Sequence, residues 1–360
     1  MSDATPHPSK PRGRGAGDNP EQRFASLHVV YDEGEAPTSV KTKFLVDHAS
    51  TILTRNSSPD LPFEVSLNPY RGCEHGCAYC YARPTHEYLG FSSGLDFESR
   101  IMVKPAAAAL LRAELLKTSY KPSTLACSGV TDPYQPVEKK LRITRACLEV
   151  LAETRHPVAI VTKNHLVTRD IDLLQELARH QAVLVYVSIT SLDPDLARIL
   201  EPRASSPSMR LEAVRQLAEA GIPVGVSLAP VIPAINDEEI PAILKAGAEA
   251  GASFAASTIV RLPFAVKDIF TAWLEEHYPQ RVEKVLGRIR AMQGETLSHG
   301  EFGKRLRGEG IWAEQIRALF QVSKKRNGLD QPRPPLNTKA FRRPTDPSGQ
   351  MDLPGLGTNG

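Results

Sequence analysis

The chain has 360 residues, of which 41% are hydrophobic, and its formal net charge is +3. This length allows one large hydrophobic core or two smaller ones, and no apolar segment is long enough to cross a bilayer. Because this net charge is small for the length of the chain, it gives no indication of a nucleic-acid or membrane partner. The polar start of the chain lacks the apolar segment of a secretion signal, so we expect a cytoplasmic protein without a membrane partner.

The two ends of the chain offer little that a core could use. We predict disordered tails over residues 1–22 and 328–360, where Pro, Gly and charged residues dominate. Between the tails we predict an N-terminal extension over residues 23–62, a partial barrel over 63–262 and a helical region over 263–327.

Strand-like and helix-like segments alternate through the central part of the chain. They are strand 63–67, helix 106–116, strand 123–127, helix 144–154, strand 158–162, helix 170–180, strand 182–189, helix 209–220, strand 224–229, helix 239–250 and strand 254–260. The apolar segment 183–187 indicates strands buried on both faces. Alternation with short links predicts an α/β fold with a parallel sheet of about six units, which is an open, partial β/α barrel.

Three cysteines, Cys73, Cys77 and Cys80, lie within eight residues in the spacing Cys-x3-Cys-x2-Cys. Three thiolates from one loop can hold three irons of a four-iron cluster and leave the fourth iron open. An open iron can bind and reduce a small molecule, so this loop is a candidate reaction centre.

Two other interpretations of these cysteines stay open. A structural zinc site usually has two ligand pairs, whereas here one triplet stands alone, with His75 between two ligands and His86 just within reach. A disulfide is less favoured, because the chain has five cysteines and we expect a reducing compartment.

The cysteine spacing, with Tyr79 before the third cysteine, resembles the cluster loop of radical S-adenosylmethionine (SAM) enzymes. Residues 68–77 and 131–136 resemble, more narrowly, the spore photoproduct lyase-like (DNA-repair photolyase-like) branch, and look most like an uncharacterised bacterial subgroup of it. The resemblance covers about residues 63–232. It implies an open partial barrel, a [4Fe–4S] cluster on the three cysteines, and SAM as a second cofactor.

Polar residues follow several predicted strands, at the edge where ligands gather in parallel sheets. Lys163 could offer its ammonium group to the carboxylate of SAM, Ser188 could donate to the same end, and the backbone at Ala229 could line the adenine. The segments around these residues resemble strand ends of the lyase family, which implies the same SAM contacts.

Three further candidates lie close to these strand ends. Arg203 stands where the lyase pattern has glycine. It is predicted to contact SAM or the substrate, or to pair with a nearby carboxylate. Asp132 and Tyr134 lie in a Pro-flanked turn and are predicted substrate contacts. The alternative for this pair is that both residues only shape the loop.

Cys127 is a candidate hydrogen-atom donor. The pair Ala126 and Cys127 resembles a pair in the lyase family that supplies a hydrogen atom to a substrate radical, and Tyr79 and Tyr81 match tyrosines that relay it. A thiol S–H bond is weak enough to quench a carbon radical. The alternative is a small buried apolar side chain, which is also the interpretation of Cys147.

We therefore predict a lyase-like radical SAM enzyme that cleaves SAM to a 5′-deoxyadenosyl radical, with a flavodoxin or ferredoxin as electron donor. The substrate is unidentified, because the segment between Cys127 and Asp132 is two residues longer than the lyase pattern and residues beyond 232 do not match the lyase's DNA-binding part. Nucleic acid is the candidate by analogy and from the basic residues between 281 and 343. A solvated surface is the alternative for those residues.

Two other functions fit the same cysteine loop. One is a non-catalytic nucleic-acid-binding protein stabilised by zinc or by a cluster. The other is a cluster protein that only transfers electrons.

Overall fold

A computed structural model describes residues 11–24, 40–61, 63–298 and 300–345 of the protein. The strands are β1 (Lys43–Val46), β2 (Leu53–Arg55), β3 (Val65–Leu67), β4 (Tyr70–Arg71), β5 (Arg100–Val103), β6 (Leu125–Cys127), β7 (Val158–Thr162), β8 (Val183–Ser188), β9 (Val224–Val231) and β10 (Phe254–Ile259). The α-helices are α1 (Leu95–Ser99), α2 (Ala107–Leu116), α3 (Glu138–Leu141), α4 (Ile143–Thr154), α5 (Ile171–Arg179), α6 (Pro194–Leu200), α7 (Pro207–Glu219), α8 (Ile240–Glu249), α9 (Val266–His277), α10 (Val282–Met292) and α11 (Gly310–Arg326). Short 3-10 helices cover Arg83–Leu89, His165–Asp170, Asp237–Glu239, Pro279–Arg281 and Thr338–Ala340.

The main sheet has seven strands in the order β10-β9-β8-β7-β6-β3-β2. From β3 to β10 all neighbouring strands are parallel, and β2 is antiparallel at the edge. The predicted α/β class and an open parallel sheet of six strands are confirmed. A second sheet with the order β1-β5-β4 was not expected, because its strands are short and lie between irregular segments.

The core lies between the main sheet and the helices that connect its strands. Alternate residues of each strand point toward these helices, so Leu125 and Cys127 of β6 join Val158 and Ile160 of β7 in one buried cluster. Lys163 directly follows β7 and Ser188 is the last residue of the neighbouring β8. Those two positions define the edge where the candidate site is built.

The C-terminal helices α9 and α10 pack against the cysteine loop. Trp273 of α9 is 1% exposed, and its indole nitrogen donates a hydrogen bond of 2.9 Å to the carbonyl oxygen of Ile199. It belongs to one apolar cluster with Cys77, Tyr79 and Ile289. The helical region beyond the sheet therefore supports the loop directly.

The structure differs from the predicted tails in two segments. Residues 11–22 make specific contacts, since Ala16 is 1% exposed and Arg14 donates 2.6 Å hydrogen bonds to the carbonyl oxygens of Glu98 and Val40. Residues 328–345 include the buried Leu329. The composition of both segments predicted disorder, because it does not show that a few of their residues contact distant parts of the chain. Residues 1–10 and 346–360, also predicted as tail, lie outside the described residues.

Within the described part of the chain, the structure has no helix with the length and apolar character needed to span a membrane.

Candidate functional site

The cysteine loop follows β4 and turns sharply at two glycines. Gly72 and Gly76 have φ angles of +78° and +67°, a conformation that other residues rarely adopt. A Cβ atom at Gly76 would lie 2.6 Å from a carboxylate oxygen of Glu98. Cys73 and Cys77 are each 7% exposed, and Cys80 is half-buried. The loop therefore presents three thiols at one tightly wound turn.

A buried ion pair organises the loop from the inside. Arg83 donates two hydrogen bonds, of 2.9 and 3.0 Å, to the carbonyl oxygen of Cys77 and pairs with Glu98 at 2.5 Å. The other donors to Glu98 are the backbone N–H groups of Gly15 and Ala16, at 2.9 and 2.8 Å. Residues 11–16 thus close over the loop and complete the hydrogen bonds of its central carboxylate.

The donor set suits an iron–sulfur cluster. All five cysteines are free thiols, and three of them lie in this one loop. No three His, Cys, Asp or Glu side chains in the described residues converge on a point where one metal ion could sit. A cluster needs no such point, because each thiolate binds a different iron. Burial raises the pKa of the Cys77 thiol, and nearby Glu201 adds to the rise, so cationic irons are suited to hold it as a thiolate.

Lys163, Ser188 and Ala229 converge at the C-terminal edge of the sheet. The ammonium of Lys163 donates to the hydroxyl of Ser188 at 2.7 Å and to the carbonyl oxygen of Ala229 at 3.3 Å. These residues come from the ends of β7, β8 and β9, which are neighbours in the sheet. The structure therefore brings the three predicted SAM contacts together around one cation.

A buried carboxylate, Glu201, links this cation to the cysteine loop. Glu201 accepts hydrogen bonds from the Tyr79 hydroxyl and, at 2.7 Å, from Thr190, and it pairs with the buried Arg210. The ammonium of Lys163 lies 3.8 Å from its carboxylate. Burial alone would raise the pKa of Glu201, but the charges of Arg210 and Lys163 outweigh it and lower the pKa to about 2. Glu201 is therefore ionised at neutral pH.

The sequence alone predicted no role for Glu201. Residues 201 and 202, and residues 210–213, match the lyase pattern, and that match was the signal available. Tyr79 and Glu201 are 122 positions apart in the chain, so only the fold shows that they touch.

Asp132 joins the strand end to the cysteine loop. Its carboxylate accepts hydrogen bonds from the Thr162 hydroxyl at 2.7 Å and from the backbone N–H groups of Lys163 and Tyr134, both at 2.8 Å. It also lies 3.4 Å from the ring of buried His75. Burial lowers the pKa of His75, but the Asp132 carboxylate outweighs it and raises the pKa to about 10. These contacts are those of a residue that shapes the loop, and its substrate contact stays a prediction.

Tyr134 is fully buried, and its hydroxyl has no hydrogen-bond partner among the described residues. Burial raises the pKa of this phenol well above its usual value. A substrate contact through Tyr134 also stays a prediction, and it would require the turn to open.

The three predicted hydrogen-transfer residues face different surroundings. Cys127 is fully buried in the core between sheet and helices, in the same cluster as Cys147. Tyr79 points to Glu201, whereas Tyr81 is 50% exposed and donates 3.0 Å to the carbonyl oxygen of Gly129. Among the residues that the structure describes, the contacts of these three side chains form no continuous relay. The donor role of Cys127 stays a prediction.

Arg203 lies at the rim of the cysteine loop. Its guanidinium is 3.5 Å from the carboxylate of Glu74 and donates 3.2 Å to the carbonyl oxygen of Gly13. These contacts correspond to the carboxylate pairing that the sequence left open. A contact between Arg203 and SAM stays a prediction.

Comparisons with known proteins indicate the family and the fold of this chain. The Radical SAM superfamily matches residues 67–246. An uncharacterised protein of Mycobacterium tuberculosis is 38% identical over 226 residues, which are 62% of this chain and 66% of that protein. An uncharacterised protein of Methanocaldococcus jannaschii is 30% identical over 173 residues, 48% of this chain and 62% of that protein. The chain thus spans just under two thirds of the length of these relatives.

Solved structures of spore photoproduct lyase are similar in fold. One variant, with bound AdoMet and dinucleoside spore photoproduct, matches with a TM-score of 0.54 and 18% sequence identity. The match covers 79% of this chain and 78% of that one. At this identity the similarity shows a shared fold.

Proposed function

Because the chain belongs to the radical SAM superfamily, we propose that Cys73, Cys77 and Cys80 hold a [4Fe–4S] cluster and that the adjacent strand ends hold SAM. The cluster, when bound, would supply the electron for reductive cleavage of SAM to methionine and a 5′-deoxyadenosyl radical, and that radical would take a hydrogen atom from the substrate. The chain's own residues supply the binding and orientation of SAM.

The observation that carries this proposal is the position of Lys163 between the strand ends and the cysteine loop. Its ammonium contacts Ser188 and Ala229, and it lies 5.9 Å from the ring centre of Tyr79. The Lys163 side chain is held in place by these contacts and is 15% exposed, so the carboxylate of a ligand can reach its ammonium group. Lys163 would therefore bind the carboxylate of SAM, Ser188 would donate to the same end, and Ala229 would line the adenine.

The substrate class proposed here is nucleic acid. The solved lyase of similar fold holds a dinucleoside spore photoproduct, and the chain carries basic residues between 281 and 343. In addition to the three strand ends, we propose that Asp132 contacts the substrate and that Arg203 contacts SAM. A flavodoxin or ferredoxin is the proposed electron donor, in a cytoplasm that keeps the thiols reduced.

The experiment is anaerobic purification followed by iron and sulfide analysis and a SAM-cleavage assay with dithionite. We expect iron, sulfide and 5′-deoxyadenosine in the parent, and their loss in Cys73→Ala, Cys77→Ala and Cys80→Ala variants. Cys147→Ala is the matched control, because Cys147 is a buried cysteine of the sheet–helix core. That control should keep its iron.

Two results would contradict the proposal. Full zinc occupancy without iron would favour the nucleic-acid-binding alternative. A redox-active cluster that leaves SAM intact would favour electron transfer alone.

The donor role proposed for Cys127 has its own test. A Cys127→Ala variant should still cleave SAM but should change the product distribution or the fate of the substrate radical. An unchanged distribution would remove Cys127 from the mechanism and leave it as a core residue.

A further inference from the structure

A small cleft is lined by Tyr81, the residue that follows the third cysteine of the loop. It has a volume of about 170 Å³, and its lining includes the aromatic and charged side chains of Arg23, Tyr81, Tyr88, Arg261 and Phe264. We call it the aromatic cleft. It is separate from the Lys163 cation, since none of its lining residues touches Lys163 or Glu201 in the described contacts.

The aromatic side chains of the cleft are unusually exposed. Tyr81 is 50%, Tyr88 73% and Phe264 57% exposed, and Phe24, 61% exposed, lies 5.3 Å from the Tyr88 ring. Large aromatic rings are normally used for burial, so several exposed together mark a binding surface. Phe264 also has a φ angle of +52°, which is strained for a residue with a side chain. The fold tolerates this strain while leaving the ring in solvent.

The two arginines of the cleft differ in their charge balance. Arg23 pairs with the buried carboxylate of Glu87, and its guanidinium lies 3.7 Å from the ring centre of Phe264. Arg261 lies 5.1 Å from the ring centre of Tyr81, and its neighbouring carboxylate, Asp60, is already bound to Arg305. Arg23 therefore adds a flat surface of little net charge, whereas Arg261 leaves a positive charge for a ligand to neutralise.

This combination selects the chemistry of the ligand. Exposed ring faces and a guanidinium plane bind flat π systems, and a free guanidinium binds one anion. An unpaired nucleobase with its phosphate supplies both groups, whereas a duplex hides the faces of its bases. We propose that the aromatic cleft binds an unpaired base of a single-stranded nucleic acid.

The position of the cleft connects it to the reaction centre. Tyr81 follows Cys80 in the chain, and its hydroxyl bonds to Gly129, two residues beyond β6. A base stacked on Tyr81 is therefore adjacent to the cluster loop. Binding of a single strand to the aromatic cleft does not depend on the chemistry at the cluster loop. The role of this binding in presenting the substrate rests on the proposed function.

The test is fluorescence anisotropy with a 5′-labelled mixed-sequence single strand of about 12 nucleotides, within the site sizes of such surfaces, and with the matching duplex. We expect the single strand to bind at least tenfold more tightly than the duplex. A Tyr88→Ala variant should weaken single-strand binding about tenfold, as expected when one base loses its stacking partner. Arg261→Gln should weaken it and reduce the dependence of log affinity on log salt by about 0.7.

Matched controls separate the cleft from general surface effects. Phe44→Ala removes another exposed aromatic, on β1, and Arg179→Gln removes an exposed arginine on α5. Both should bind the single strand as the parent does. Tyr88 is 73% exposed, so its variant should fold even if a more buried substitution does not.

Several outcomes would overturn the inference. They are equal affinity for the duplex, parent-like binding by both Tyr88→Ala and Arg261→Gln, and displacement of the strand by a peptide of alternating Asp and Phe at similar concentration. A protein that binds the strand but leaves SAM intact would keep this inference and contradict the proposed function. A protein that cleaves SAM and ignores the strand would do the reverse.

Discussion

Two carboxylates are buried beside the cysteine loop, and their partners give them different roles. Glu98 and Glu201 are 0% and 1% exposed, and each pairs with a buried arginine. The remaining partners of Glu98 are backbone N–H groups of residues 15 and 16, whereas those of Glu201 are side chains of the site, including Lys163. Both buried ion pairs therefore stabilise the loop, and the pair of Glu201 also orients the ammonium group of Lys163.

The largest expected effect comes from breaking the first pair. Arg83→Met should lower the free energy of unfolding by about 3–5 kcal/mol, because it leaves Glu98 charged and unpaired in the interior. Anaerobic urea unfolding measures this. The control, Arg179→Met, breaks an exposed pair with Glu176 and should change stability by less than about 1 kcal/mol. A loss in Arg83→Met no larger than in the control would mean that the buried pair does not stabilise the loop.

Glu201→Gln should affect both stability and SAM binding. We expect a loss of about 3 kcal/mol in unfolding free energy, because Arg210 stays buried without its counter-charge. We also expect weaker SAM binding, because Lys163 loses the carboxylate that holds it. Equilibrium binding of SAM to the anaerobic protein provides the second measurement. A variant that loses stability but binds SAM like the parent would reduce Glu201 to the role of Glu98.

Lys163→Met isolates the binding part of that effect. It should weaken SAM binding by about tenfold to a hundredfold, the range for a hydrogen bond to a charged group, with unfolding free energy within about 1 kcal/mol of the parent. Combined with Glu201→Gln, it should weaken SAM binding little further, because both changes act on one ammonium group. Additive effects would show that Glu201 acts on SAM by another route.

A third buried group, His156, sharpens the comparison, because no charged side chain among the described residues pairs with it. Its ring is fully buried and contacts the Tyr120 hydroxyl at 2.7 Å and the Phe341 ring at 5.5 Å. Burial lowers the pKa of His156 from 6.5 to about 4. The unfolded chain therefore takes up a proton first, so the contribution of His156 is complete above pH 6.5 and is lost as the pH falls toward 4.

This predicts that unfolding free energy decreases by about 2 kcal/mol between pH 7 and pH 5 through this residue. Urea unfolding at the two pH values, compared with a His156→Phe variant, isolates the contribution. If the pH dependence is the same in both proteins, the charge of His156 does not limit stability.

Sequence patterns predicted the sheet well, because strands and helices of this type follow from local periodicity. The β7 strand was predicted with its observed bounds, and the ends of α2 and α4 within one residue. The convergence of Lys163, Ser188 and Ala229 was also predicted, since the ends of parallel strands meet at one edge. The second sheet, and the packing of residues 11–22 and 328–345, depend on partners far away in the chain.

The sequence by itself determined the three thiols, their spacing and the positions of the strand ends, because each of these features is set by residues close to one another in the chain. Only the tertiary structure decided which face Cys127 takes, which carboxylate holds Lys163, and that exposed aromatic rings from three separate segments meet beside Cys80. Those relations depend on side-chain direction and on contacts between residues tens to hundreds of positions apart. Local pattern does not encode them, because they form only when the sheet, its helices and the loop pack together.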